Sequence, residues 1–281
     1  ETLTFDHLRE ERGRYSRIRL WGSVGFIVAV LGTGAVLDAL PLNGVLWVCW
    51  AILVGILLLA VVLPDAPAVP HSHDSPAVGD ILRQPKVRAL LAACFAMSAA
   101  HGALYVFYSI HLADHGYSKA EVGALWSLGV LAEIAVFMLM ARLTRRYSLR
   151  VLLLASFAAA VLRFLLIGWA VESLAVMVMA QLMHGLTFGA YHASSIAAIN
   201  LWFPGRAQGR GQALYSSISF GAGGLLGGLI SGWTWDGIGA GWTYTLASVF
   251  AVGGFALVWR WVREDAAVDA PGEPKTSDPV P

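Results

Sequence analysis

The sequence is poor in charge. Only 13% of its 281 residues are Asp, Glu, Lys or Arg, against about 25% in an ordinary soluble domain, so a fully water-facing surface cannot be built from it. The net charge is +1, which excludes the basic stripe that nucleic-acid binding requires. Cysteine is scarce as well. Cys49 and Cys94 are the only two; both lie in apolar runs without metal-ligand spacing, and they read as small packing residues rather than a disulfide framework. No Gly-x-Ser-x-Gly, His-Glu-x-x-His or phosphate-loop pattern occurs, so hydrolase, zinc-protease and nucleotide-binding readings lose their motifs. The start, Glu1 to Arg19, is polar and has the character of an internal loop, and no signal peptide is expected.

Apolar surface is abundant instead. The chain is 57% hydrophobic with a mean hydropathy of +0.66, and it carries 11 Trp and 30 Gly, residues that bilayer helices use at interfaces and at close contacts. A helix needs roughly 20 apolar residues to cross a bilayer. Eight stretches qualify: 18–40, 44–63, 87–112, 120–142, 148–170, 173–202, 208–233 and 240–263. Turn-forming residues separate them, as in Asp114-His115-Gly116-Tyr117-Ser118 and Phe203-Pro204-Gly205. The expected fold class is all-α integral membrane, with about eight transmembrane helices. One long linker, 64–86, divides two spans (1–63) from six (87–263), and 264–281 is expected to be a disordered tail.

Charge placement gives an orientation. Lys and Arg accumulate in cytoplasmic loops. With both ends inside, only Lys119 of the 19 basic residues falls outside, and Arg163 falls within a span. A miscounted helix would scramble this alternation. The expected location is a cell inner membrane, multi-pass, with both ends cytoplasmic.

Ionisable side chains in a bilayer are costly, and they usually face the bundle interior and carry function. Near mid-span the chain has His101, Glu133, Arg163, His184 and His192. Arg163 and Glu133 are expected to pair, either as a structural lock or as a proton-coupling set in which Glu133 or His184 takes up the proton. His101 shares a helical stripe with Tyr105 and Tyr108, a cavity wall or a packing face. His184 and His192 lie about two turns apart on nearly one face. Gly221, Gly223, Gly224, Gly227, Gly228 and Gly232, and likewise Gly22, Gly25, Gly32 and Gly34, read as close helix contacts.

The run Ser16-Arg17-Ile18-Arg19-Leu20-Trp21-Gly22-Ser23-Val24-Gly25-Phe26 resembles the start of the fifth helix of lactose-permease-like major facilitators, most closely the phenylpropionate transporter (PPP) branch. The likeness continues through Arg83-Gln84-Pro85-Lys86, Gly129 to Ile134, Leu162-Arg163-Phe164 and His184 to Ala190, and the basic run Arg142 to Arg146 resembles a degraded superfamily loop motif. The resemblance implies the major facilitator fold, with these spans corresponding to helices 5–12 and the first four lacking. It implies a non-enzymatic secondary transporter working by alternating access, with a small organic solute and a proton as partners and no cofactor.

By the same resemblance Arg163 and His184 match an arginine and a histidine of the permease's proton-coupling group. Thr187 stands where the permease has its proton-carrying glutamate, and Glu133 is the available substitute. Arg19 matches a substrate-side arginine, with Glu1 at the spacing of its carboxylate partner. Tyr105 and Tyr108 replace two carboxylates, which argues against a galactoside and is compatible with a phenylpropionate-like acid; nucleosides and sugars stay open. The expected sites are therefore Glu133, Arg163 and His184 for proton coupling, and Arg19, His101, Tyr105, Tyr108 and His192 for substrate. Alternatives are a truncated protein that does not transport, the expectation for these spans taken alone, and a membrane enzyme with His184, His192 and Glu133 as metal ligands.

Overall fold

The computed structural model describes residues 21–22, 24–29, 32, 44–63, 77–205 and 207–263. The described residues of the first expected span are helical, and most of that span lies outside them, as do Glu1, Arg19, Gly34 and the expected tail. The helices are α1 (Gly44–Val62), α2 (Val78–Arg83), α3 (Pro85–Asp114), α4 (Lys119–Arg146) and α5 (Leu149–Trp169), followed by α6 (Leu174–Trp202), α7 (Ala207–Ile238) and α8 (Ala240–Trp261). No strand occurs among the described residues. Six helices, α3 to α8, are long and apolar enough to cross a membrane. In α1 the apolar stretch is the shorter Leu46–Val62, and its Leu46, Trp47, Trp50 and Leu57 are exposed.

Local chemistry sets the helix ends. Pro85 occupies the first turn of α3, where its missing N–H costs nothing. Ser118 and Glu121 form a reciprocal capping box at the start of α4, with the Ser118 amide donating to Glu121 Oε2 at 2.8 Å. Ser148 and Ser173 cap α5 and α6. Gly116 and Gly239, at φ +84° and +86°, make the left-handed turns after α3 and α7, a conformation costly for a residue with a β-carbon. Within the predicted linker 64–86, α2 adds a short helix. It folds because Ile81 is buried in the core.

Five helix pairings position the site: α3 against α7 and α8, α6 against α4 and α5, and α5 against α8. Glycine permits the closest of them. A β-carbon at Gly102 would come within 2.6 Å of the Gly228 amide nitrogen, and one at Gly227 within 2.7 Å of Ala99 Cα, so α3 and α7 touch backbone to backbone. Gly223 meets Phe95 in the same crossing. Among the described residues, nothing lies close to Gly22, Gly25, Gly32, Gly221, Gly224 or Gly232. Glycine spacing records where approach is allowed; the partner helix decides where it happens.

Candidate functional site

The largest fully buried side chain among the described residues is Arg163, on α5. A guanidinium out of water must spend its N–H groups on acceptors, and four hydrogen bonds do so. Nε donates to the Ala180 carbonyl at 2.8 Å. Nη1 donates to His184 Nδ1 at 3.0 Å and to Thr187 Oγ1 at 3.1 Å. Nη2 donates to Gln181 Oε1 at 3.1 Å. All four acceptors belong to α6, so one side chain pins α5 to it.

Helix α6 is irregular where it is pinned. Its α-helical register runs from Leu174 to Leu182, passes into a π turn over Gly185–Ala190, and resumes at Tyr191. Such turns are uncommon and concentrate at functional sites. The glycines inside it face α4. A β-carbon at Gly185 would meet the Ala132 carbonyl at 2.7 Å, and one at Gly189 would meet the Glu133 carbonyl at 3.4 Å. From α4, a β-carbon at Gly129 would meet Gln181 Oε1 at 2.8 Å and His184 Cδ2 at 3.4 Å. This approach brings Glu133 Oε2 to 4.0 Å from His184 Nε2. Arg163, His184 and Glu133 therefore form a buried chain with the histidine in the middle.

Aromatic rings flank the chain. His101 lies 6.2 Å from His184 and 5.2 Å from Phe164, ring centre to ring centre, and its Nδ1 sits 2.9 Å from the Met97 carbonyl. Tyr105 stacks on Trp126 at 6.3 Å, and Tyr108 meets the same indole edge-on at 5.4 Å. Tyr105 is exposed whereas Tyr108 is fully buried. His101 Nε2 is a buried atom without a hydrogen-bond partner, and Tyr108 Oη lies beside the Gln181 amide.

His192 stands apart from this group. Phe188 stacks between it and His184, at 5.8 Å and 5.5 Å, and His192 Nδ1 is 2.9 Å from Tyr215 Oη on α7. The shared face read from the sequence is present, with an aromatic ring filling the gap. His184, His192 and Glu133 do not converge, and the described residues contain no group of three His, Cys, Asp or Glu arranged to hold a metal. The metal-enzyme alternative lacks its ligand set.

Sequence reasoning passed over Gln181, Trp126 and Phe164 as site residues. A lone amide inside the apolar run Met177 to Met183 was a usable signal for Gln181. Nothing in the sequence distinguished Trp126 from an interfacial tryptophan.

The sequence profile of the MFS_1 like family matches residues 1–246. A probable 3-phenylpropionic acid transporter of Escherichia coli (strain K12) is 30% identical over 239 residues, covering 84% of this chain and 62% of its own length. Maltose permease of Geobacillus stearothermophilus is 26% identical over 260 residues, covering 92% and 66%. Among solved structures, the crystal structure of nucleoside transporter NupG (D323A mutant) superposes with a TM-score of 0.69 at 18% identity, covering 93% of this chain and 71% of that one. At that identity the likeness shows the fold. The chain spans 62% and 66% of the length of the two curated relatives.

Proposed function

The chain belongs to the MFS_1 like family, a family of membrane transporters, and from that premise we propose that it is part of a proton-coupled symporter of an inner membrane, with both ends cytoplasmic. The observation that carries the coupling is the buried sequence Arg163, His184, Glu133. A guanidinium has no acceptor, so His184 Nδ1 accepts from it, and in the neutral ring the hydrogen then sits on Nε2, toward Glu133. The acidic end of the chain is a carboxylate in a dry environment, with the His184 ring between it and the Arg163 guanidinium, a setting in which a proton can be held and released as the surroundings change. Glu133 carries the proton, His184 transmits its state to Arg163, and Arg163 ties that state to the packing of α5 on α6.

The substrate is an organic solute with an aromatic ring and a polar group, of which a phenylpropionate-like acid is the leading case. The paired rings of Tyr105 and Trp126 offer a stacking face. Tyr108 Oη and the Gln181 amide lie side by side in the same region and supply its polar groups. His101, Tyr105 and Tyr108 line the substrate path, His192 contributes from its margin, and Arg19, outside the described residues, keeps the substrate role that its sequence suggests. Arg163, already bonded to four acceptors, positions and does not bind the substrate directly.

Uptake of radiolabelled 3-phenylpropionate into vesicles carrying the complete gene product, with and without an inward proton gradient, tests this reading. Gradient-driven accumulation that Glu133→Gln abolishes supports it. Accumulation indifferent to the gradient removes the proton from the mechanism, and no uptake or competition by any aromatic acid removes the substrate class.

A further inference from the structure

The charged residues outside the spans are sorted between the two ends of the bundle. At the end where α4 finishes, α5 begins and α8 finishes lie Arg142, Arg145, Arg146, Arg150 and Arg260. The only acid at that end among the described residues is Asp80, and it is paired with Arg83 at 2.8 Å. At the opposite end the turns carry Asp114, Glu121, Glu172 and Asp236 against Lys119 alone. The basic end therefore has positive charge that the described chain does not neutralise, and it suits a surface of negative charge.

One of these arginines is held in place. Arg150 sits in the first turn of α5, and its Nη2 donates to the Trp259 carbonyl in the last turn of α8 at 2.8 Å. The guanidinium also lies over the indole of the same residue, 5.3 Å from the ring centre, an attractive placement for a cation. Backbone and side chain of Trp259 thus fix the cation across the α5–α8 pairing. A guanidinium has five N–H groups, and Nε of this one is buried without a partner. Native structures seldom leave such a donor unanswered. The fork is short of an acceptor, and a phosphodiester offers two oxygens in the geometry that fits it.

The surroundings say what carries that phosphate. Trp259 is exposed and stacks on Phe255, one turn deeper in α8, at 6.2 Å. Val252 continues the exposed apolar strip toward mid-span. An indole with a cation at its face and an apolar strip beneath it stands at headgroup depth. A free anion needs only the fork, whereas a phospholipid uses the fork and the strip together.

We propose that the adjoining ends of α5 and α8 form a binding site for an anionic phospholipid, with Arg150 holding the phosphate, Arg260 adding positive potential beside it, and Trp259 and Phe255 carrying an acyl chain. The site lies about 20 Å along α5 from Arg163, so it is separate from the buried Arg163, His184 and Glu133 and does not depend on proton coupling. Bound there, the lipid bridges two helices and stabilises the folded chain by mass action.

Native mass spectrometry of the chain, equilibrated in detergent with phosphatidylglycerol or with phosphatidylcholine, tests this. The unaltered chain is expected to keep phosphatidylglycerol and to lose phosphatidylcholine, which has the same phosphate and no net charge. Arg150→Gln is expected to weaken retention about fivefold. Arg150→Lys recovers part of it, because an ammonium keeps the charge and loses the fork. Arg142→Gln removes the same charge from the same end and leaves retention unchanged. If Arg150→Gln is not recovered folded, Trp259→Leu, which removes the indole and keeps the carbonyl, is read by the same criterion.

Equal retention of the two lipids overturns the proposal. So does an equal loss in Arg142→Gln and Arg150→Gln, which assigns the attraction to the diffuse charge of the whole end. Displacement of phosphatidylglycerol by excess inorganic phosphate or glycerol phosphate overturns the lipid and makes the fork a site for a free anion.

Discussion

Arg163 Nη1 lies 3.0 Å from His184 Nδ1, and the opposite ring nitrogen of His184 lies 4.0 Å from Glu133 Oε2. The first contact constrains the second. A proton added to His184 Nδ1 would set two donors against each other, so the Arg163 bond survives only while that nitrogen is bare.

Glu133→Gln keeps size and removes the charge. Gradient-driven uptake by the complete gene product is expected to fall at least about tenfold, while exchange of substrate across the membrane without net proton movement continues. Paired uptake and counterflow assays check this, and an unaltered pH profile would take Glu133 out of the proton-carrying role.

Arg163→Gln strands His184 Nδ1, Thr187 Oγ1 and the Ala180 carbonyl in a dry core. Each buried group left without a partner costs about 1–3 kcal/mol, so the midpoint of thermal unfolding in detergent is expected to drop clearly. Arg163→Lys is expected to recover little, because an ammonium cannot reproduce the planar fork. A lysine variant as stable as the unaltered chain would show that charge alone matters.

Gly185→Val inserts a branched side chain where even a β-carbon meets the Ala132 carbonyl at 2.7 Å. Forcing α4 from α6 is expected to cost about 1–3 kcal/mol and to separate Glu133 from His184, so coupling suffers along with stability. Gly232→Ala, at a position with open space, serves as the comparison and is expected to stay within about 0.5 kcal/mol. Equal effects at the two sites would mean that the α4–α6 approach is not specific.

Tyr108→Phe deletes a buried hydroxyl set beside the Gln181 amide. A weak contact of this kind contributes little to stability. The expected outcome is unchanged thermal stability with a KM for aromatic acids raised about tenfold and a smaller effect on kcat. An unchanged KM would make Tyr108 a packing residue.

The long helices were legible because the signals for them are local. Hydropathy over 20 residues locates a span, and Ser118, Ser148, Ser173, Pro85 and Gly239 mark ends within a few residues of those observed. The cost of burying charge likewise singled out Arg163, Glu133 and His184 before any contact was known. The partners of Arg163 were less accessible. Its bond to the Ala180 carbonyl depends on backbone that no side-chain pattern reports, and the π turn shifts the residues after His184 relative to an ideal helix.

By itself the sequence determined an all-α membrane protein with its buried ionisable residues at mid-span, because hydrophobicity, capping and desolvation act residue by residue. Only the tertiary structure decided which of those residues meet. Whether Glu133 reaches His184, or His192 turns to Tyr215, depends on the rotation of each helix about its axis and on how closely two backbones approach. Those quantities are set jointly by Gly129, Gly185 and Gly189 on one side of the fold and by Gly102 and Gly227 on the other. No single stretch of chain contains both halves of such a contact.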